Sequence, residues 1–99
     1  MVTYTIKELD GGATLVEFAL SDGVIDTSEL GAAVEAAPVV DPTRGVILSG
    51  RGPVWLFGAL VHHYHGTPFV ACFDPRLAGG VVVERHSATA PKLGDIVPV

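Results

Sequence analysis

The sequence predicts an α/β (α+β) fold: one small domain over residues 1–99, built on a mixed β-sheet of five or six strands with two helices. Three observations predict it. TYTIKEL and ATLVEFAL alternate apolar and polar residues with the period of a strand. GVILSG, FVACF and VVVER are short apolar runs bounded by Gly, Pro or charged residues, as buried strands are. VWLFGALVHHYH, between the first two of these runs, is introduced by Pro53 and stopped by Gly66-Thr67-Pro68, the punctuation of a helix.

In chain order, two antiparallel strands are expected over residues 3–9 and 13–20, joined at Asp10-Gly11-Gly12, whose chemistry suits a tight hairpin turn. Asp26 with Glu29 forms a capping pattern, and Leu30, Ala33, Val34 and Ala37 recur at helical spacing, so a first helix should cover residues 27–37 before Pro38 and Pro42 end it. GVILSG is the third strand, and a second helix runs from Pro53 to about His65. Because VWLFGALV is apolar nearly all round, that helix should be buried on two sides, against its own sheet and against a second copy of the chain. FVACF makes the fourth strand, DPRLAGG turns the chain into VVVER as the fifth, and KLGDIVPV supplies a final edge strand.

Composition bounds the function. Hydrophobic residues make up 48% of the chain and charged ones 17%, the balance of a chain that packs a core. No run approaches the ~18 to 20 apolar residues of a membrane span, and MVTYTIKELD does not resemble a signal peptide, so a cytoplasmic protein with no membrane partner is expected. The single Cys72, inside FVACF, is expected to be a buried thiol. The net charge of −5 is uneven: residues 1–41 hold eight acids against Lys7, and residues 42–99 hold five bases against three acids. Such a field repels a long phosphate backbone, so any nucleic acid bound here should be short and held in a local pocket.

The chemistry-bearing residues concentrate in the second half. Gly50-Arg51-Gly52-Pro53 places flexible backbone and an arginine at a helix N-terminus, where free N–H groups attract an anion. Asp74-Pro75-Arg76 sets a carboxylate and a guanidinium two residues apart at a strand end, able to hold phosphate or to pair with each other. His62 and His65 share a helical face that His86 could join, as a proton shuttle or a metal site formed by imidazoles. The third strand, second helix and fourth strand form a βαβ unit with parallel strands. Gly50–Pro53 and Asp74–Arg76 therefore follow the carboxyl ends of parallel strands at one edge of the sheet. The helix carries His62, His63 and His65 roughly 15 to 20 Å back to the opposite edge, and an antiparallel fifth strand delivers His86 there as well. Within one copy the two groups cannot meet; cooperation requires copies facing each other.

The string SGRGPVWL…HHYHGTPFVACFDPRL…VVVERHS closely resembles the small CRISPR-associated ring nucleases of type III systems, a family first described as a manganese-dependent deadenylating exoribonuclease. The resemblance is strong over residues 43–87. It implies cleavage of the second messenger cyclic tetra-adenylate to linear oligoadenylates, a fold distantly like CRISPR-associated Rossmann domains, and a homodimer whose dimers associate head to tail around the ring. It implies catalytic roles for His62, Asp74 and Arg76, and ligand binding by Gly50, Arg51, Gly52, Pro53, His65, Thr67 and His86, with Mn²⁺ at His62 and His86. One departure is that Gly66, not histidine, directly precedes Thr67-Pro68, with His65 one place earlier; a helical step of that size turns a side chain by about 100°. The resemblance leaves two further activities open: 3′ deadenylation of RNA, and binding of the cyclic nucleotide without cutting it.

Overall fold

Alternation along the first two strands, glycine turns and two proline-stopped helices produce a sheet in chain order in the computed structural model, which describes residues 1–99. The strands are β1 (Val2–Glu8), β2 (Ala13–Leu20), β3 (Gly45–Ser49), β4 (Phe69–Asp74), β5 (Gly79–Arg85) and β6 (Ile96–Pro98); the helices are α1 (Leu30–Glu35) and α2 (Val54–His63). The six strands lie in the order β1-β2-β3-β4-β5-β6. β2, β3 and β4 run parallel, while β1, β5 and β6 are antiparallel to their neighbours. The expected βαβ unit is therefore present, and β2-α1-β3 makes a second one beside it.

Two successive crossovers that step the same way across a sheet with the same hand put both helices on one face. The packing agrees. Ala33 of α1 and Leu56 and Leu60 of α2 share a buried cluster with Val16, Phe18, Val46, Leu48 and Val70. The first helical segment is shorter than the expected 27–37. Asp26 and Glu29 do form a reciprocal capping box, but around a 3₁₀ turn at Thr27–Glu29, and the α-helix proper starts at Leu30. α2 also ends earlier, at His63, and Pro53 is its N-cap rather than its first turn. No helix of the chain is long and apolar enough to cross a membrane.

The other face carries no helix, yet Ile47 on it is fully buried. The cluster it belongs to is flanked by Leu9, beyond β1, and Val97 of β6, residues from opposite sides of the sheet. Strand twist accumulates over six strands and folds this face into a concavity that β6 closes. Gly80 permits the curl, since a Cβ there would stand 2.8 Å from Ile47 Cγ2. Leu15, Ile47, Phe69 and Val82 thus form a second cluster on this face without a helical layer over it.

Two tyrosines tie the α1 segment down: Tyr4 Oη donates to the Ala33 carbonyl and Tyr64 Oη to that of Pro38, each at 2.6 Å. Burial pushes the Tyr64 phenol up to about 12, with Tyr4 adding to the effect. Because the folded value is raised, the stabilisation is complete below the ordinary tyrosine value of about 10 and is lost as pH rises from there through the folded value. Tyr64→Phe is expected to cost about 1 to 2 kcal/mol at neutral pH by stranding the Pro38 carbonyl. Urea titrations across the alkaline range should also show a shallower decline in the variant than in the wild type.

Candidate functional site

The carboxyl ends of β3 and β4 form the first pole. β3 passes directly through Gly50 (φ 151°) into exposed Arg51 and Gly52 and half-buried Pro53. Pro53 caps α2 without any side-chain hydrogen bond, so the first N–H groups of the helix remain open toward this loop. Arg51 is in no ion pair. Beside it, Asp74 Oδ1 accepts from the Arg76 backbone N–H at 2.9 Å and from Nε at 3.2 Å, and Oδ2 accepts from Nη2 at 2.9 Å. The Arg76 side chain remains 86% exposed and that of Asp74 only 22%, so the carboxylate holds one edge of the guanidinium and leaves the other edge to solvent. The Arg76 side chain and then its backbone N–H hold the Asp74 carboxyl below the ordinary carboxylate range. A carboxylate so stabilised is a poor proton acceptor and a good anchor. The internal ion pair and the anion-binding reading are thus compatible.

The second pole lies where α2 ends and β4 begins. His62 and His65 stack with centroids 5.1 Å apart and planes 11° from parallel, and His65 Nδ1 lies 2.7 Å from the His62 carbonyl. His65 meets His86 edge to face at 6.4 Å. The His86 backbone N–H donates to the Pro68 carbonyl at 2.8 Å, fixing the end of β5 against the start of β4. His65 lies beyond the helix: Tyr64, the C-cap, has φ −97° and ψ 16°, so the 100° helical step does not apply to it. His63 leaves the group and packs on Tyr64 at 4.8 Å. Glu84, whose Oε1 is 3.0 Å from His86 Nε2, was not anticipated. Val83–His86 with Lys92 and Leu93 line an open groove of about 590 Å³ beside these rings.

β4 separates the poles. Its six residues, from Phe69 to Asp74, span about 17 Å at the rise of a strand. The structure thus brings together His62, His65 and His86 at one end and Gly50–Pro53, Asp74 and Arg76 at the other. Thr67 joins neither pole. It is only 4% exposed, and its hydroxyl lies 2.8 Å from the Tyr64 carbonyl and 3.0 Å from that of Phe69. Its hydroxyl closes the turn from α2 into β4. Cys72 is half-buried, with burial pushing its thiol up, which suits packing and not nucleophilic attack.

The Mn²⁺ expected at His62 and His86 would need ligands from outside one copy. No three His, Cys, Asp or Glu side chains in one copy are placed to hold a metal. His65 lies between the two rings, and the hard Mn²⁺ ion favours oxygen ligands over imidazoles alone. The residues of a single copy do not fit the ion, and no chemical step is derived through it.

A protein of Aquifex aeolicus (strain VF5), named only "Uncharacterized protein", is 37% identical over 99 residues, covering 98% of this chain and 87% of that one. A family model described as CRISPR-associated protein (Cas_csx3) matches residues 19–98, from the second half of β2 to the last residue of β6. The match includes both poles and extends well outside residues 43–87. The chain belongs to the CRISPR-associated Cas_csx3 family.

Proposed function

We propose that this protein is a ring nuclease that binds cyclic tetra-adenylate and cleaves it to linear oligoadenylates, switching off type III CRISPR signalling, at a site completed between two dimers. The observation that carries the reading is the division of reactive groups between poles about 17 Å apart, which leaves either pole of one copy chemically incomplete. A ring held between the Asp74–Arg76 pole of one dimer and the histidine pole of the next would meet both sets. The acidic first 41 residues favour such a short ligand over a long RNA.

In this mechanism a ribose 2′-oxygen attacks the adjacent phosphorus in line, and the bond from phosphorus to the 5′-oxygen breaks. The products carry a 2′,3′-cyclic phosphate and a 5′-hydroxyl. Arg76, steadied by Asp74, stabilises charge on the phosphoryl oxygens. Arg51 and the open N-terminus of α2 hold a neighbouring phosphate. His62 of the facing dimer acts in proton transfer, removing the 2′ proton or supplying one to the departing 5′-oxygen. If Mn²⁺ takes part, it would be held between copies, where Asp74 could offer oxygen and a histidine of the facing copy nitrogen, and it would supply charge neutralisation at the phosphate. The dimer itself is supported by the outer side of α2, where Val54 is 83% exposed and Trp55 is half-buried.

The decisive comparison is cyclic tetra-adenylate against linear polyadenylated RNA under the same conditions, with and without exhaustive chelation. Preferential loss of the cyclic ligand is expected, with specific activity falling as enzyme is diluted. Faster trimming of linear RNA would replace the reading with a deadenylase. Cyclic ligand bound but intact after hours would make the protein a sensor.

A further inference from the structure

The β4–β5 pairing contains an irregularity next to the histidine pole. Asp74 pairs with Gly79, Phe73 with Gly80, Cys72 with Val81 and Ala71 with Val82; the next pairs are Val70 with Glu84 and Phe69 with Arg85. Val83 is the extra residue of a bulge. In an unbroken strand, alternation would put Glu84 and His86 on the same face as Val82, the concave face that lacks helices. The bulge turns Glu84 instead to the face of Val70, which packs in the helix-side cluster. His86, two residues on, reaches His65 at the end of α2. Bulges that re-aim side chains in this way occur beside functional sites more often than elsewhere.

The contact so created has definite chemistry. An ionised carboxylate has no proton to donate, so His86 Nε2, 3.0 Å from Glu84 Oε1, must carry the hydrogen. In the neutral ring the lone pair then sits on Nδ1. Both side chains are only partly exposed, 40% for His86 and 30% for Glu84, and both line the groove that also contains Lys92. Glu84 is the sole acid lining that groove.

We infer that Glu84 is a positioning residue for His86: delivered to the helix side by the bulge at Val83, it holds the imidazole in one orientation and one tautomer, with Nδ1 open toward the ligand. The inference rests on the ring-nuclease reading only for its effect on turnover; the orientation stands or falls separately. Glu84 touches no substrate in this scheme and acts through His86.

Two measurements on the whole protein test it. The imidazole ¹⁵N shifts of His86 should report a single Nε2–H tautomer in the wild type and in Glu84→Gln, whose amide oxygen still accepts the bond, and a mixed population in Glu84→Ala. With cyclic tetra-adenylate, Glu84→Ala should lose about 10- to 100-fold in kcat/KM, and Glu84→Gln should retain most activity. The same spectra show whether each variant is folded. Wild-type tautomer and kcat/KM in Glu84→Ala would overturn the inference, as would a Glu84→Gln loss as deep as that of Glu84→Ala. If the wild type leaves the cyclic ligand uncut, the ring-nuclease reading fails, and the tautomer measurement alone decides the role of Glu84.

Discussion

A one-to-one mixture of His62→Ala and Arg76→Ala proteins, each nearly inactive alone, is expected to recover about a quarter of wild-type turnover of cyclic tetra-adenylate. Loss of the proton-transfer histidine should cost about 10² to 10⁴ in rate. Loss of the charge-stabilising arginine should cost on the order of 10² to 10³. Neither change reaches the other pole, because β4 lies between them. A His62→Ala dimer keeps its Asp74–Arg76 pole, and an Arg76→Ala dimer keeps its histidines. When dimers meet head to tail at random, about half the first partners and half the second are suitable, and the product is about one site in four. Exchange of chains within dimers is not required. Mixing His62→Ala with a His62→Ala/Arg76→Ala double variant should recover nothing, because no copy then supplies the histidine. Failure of the first mixture to exceed the sum of its parts would mean that each site lies within one dimer.

The two poles were legible from sequence because few local signals fix them. The helix bounded by Pro53 and Gly66 reverses the chain, and the strands on either side must then run parallel, which places Gly50 and Asp74 together and His62 far away. Less legible was everything set by one residue or by long-range packing. The extra residue at Val83 lies inside an apolar run that gives no periodic warning, so Glu84 was passed over although its spacing from His86 was in plain view. Thr67 stands in the triplet that stops the helix, and nothing local shows that its hydroxyl turns inward at the start of β4. The parallel pairing of β2 with β3 depends on a crossover broken by a 3₁₀ turn, whose helical signal is short. Burial of the concave face depends on twist summed over the whole sheet, which no window of sequence contains.

Gly50→Ala is expected to be strongly destabilising and to disable only one pole. The residue sits at φ 151°, a conformation that L side chains rarely adopt. A Cβ would stand 2.7 Å from the Phe18 carbonyl oxygen and 2.8 Å from two Phe18 ring carbons. The carbonyl belongs to β2 and cannot swing aside like a side-chain tip, and the ring is already packed edge to face on Phe57 at 5.1 Å. Backbone strain of about 1 to 3 kcal/mol and overpacking of about 1 to 3 kcal/mol act together, against a total stability on the order of 5 to 15 kcal/mol. Thermal denaturation should therefore shift down by about 10 °C or more. Gly66→Ala, at a position with nothing within 4 Å of the added carbon, should stay within about 0.5 kcal/mol of wild type. A Gly50→Ala protein as stable as the wild type would refute the strain argument. Below its melting point the variant should have a disturbed Arg51 loop but intact histidines. It should therefore restore turnover when mixed with His62→Ala and fail to do so with Arg76→Ala, a polarity that a general loss of folding could not produce.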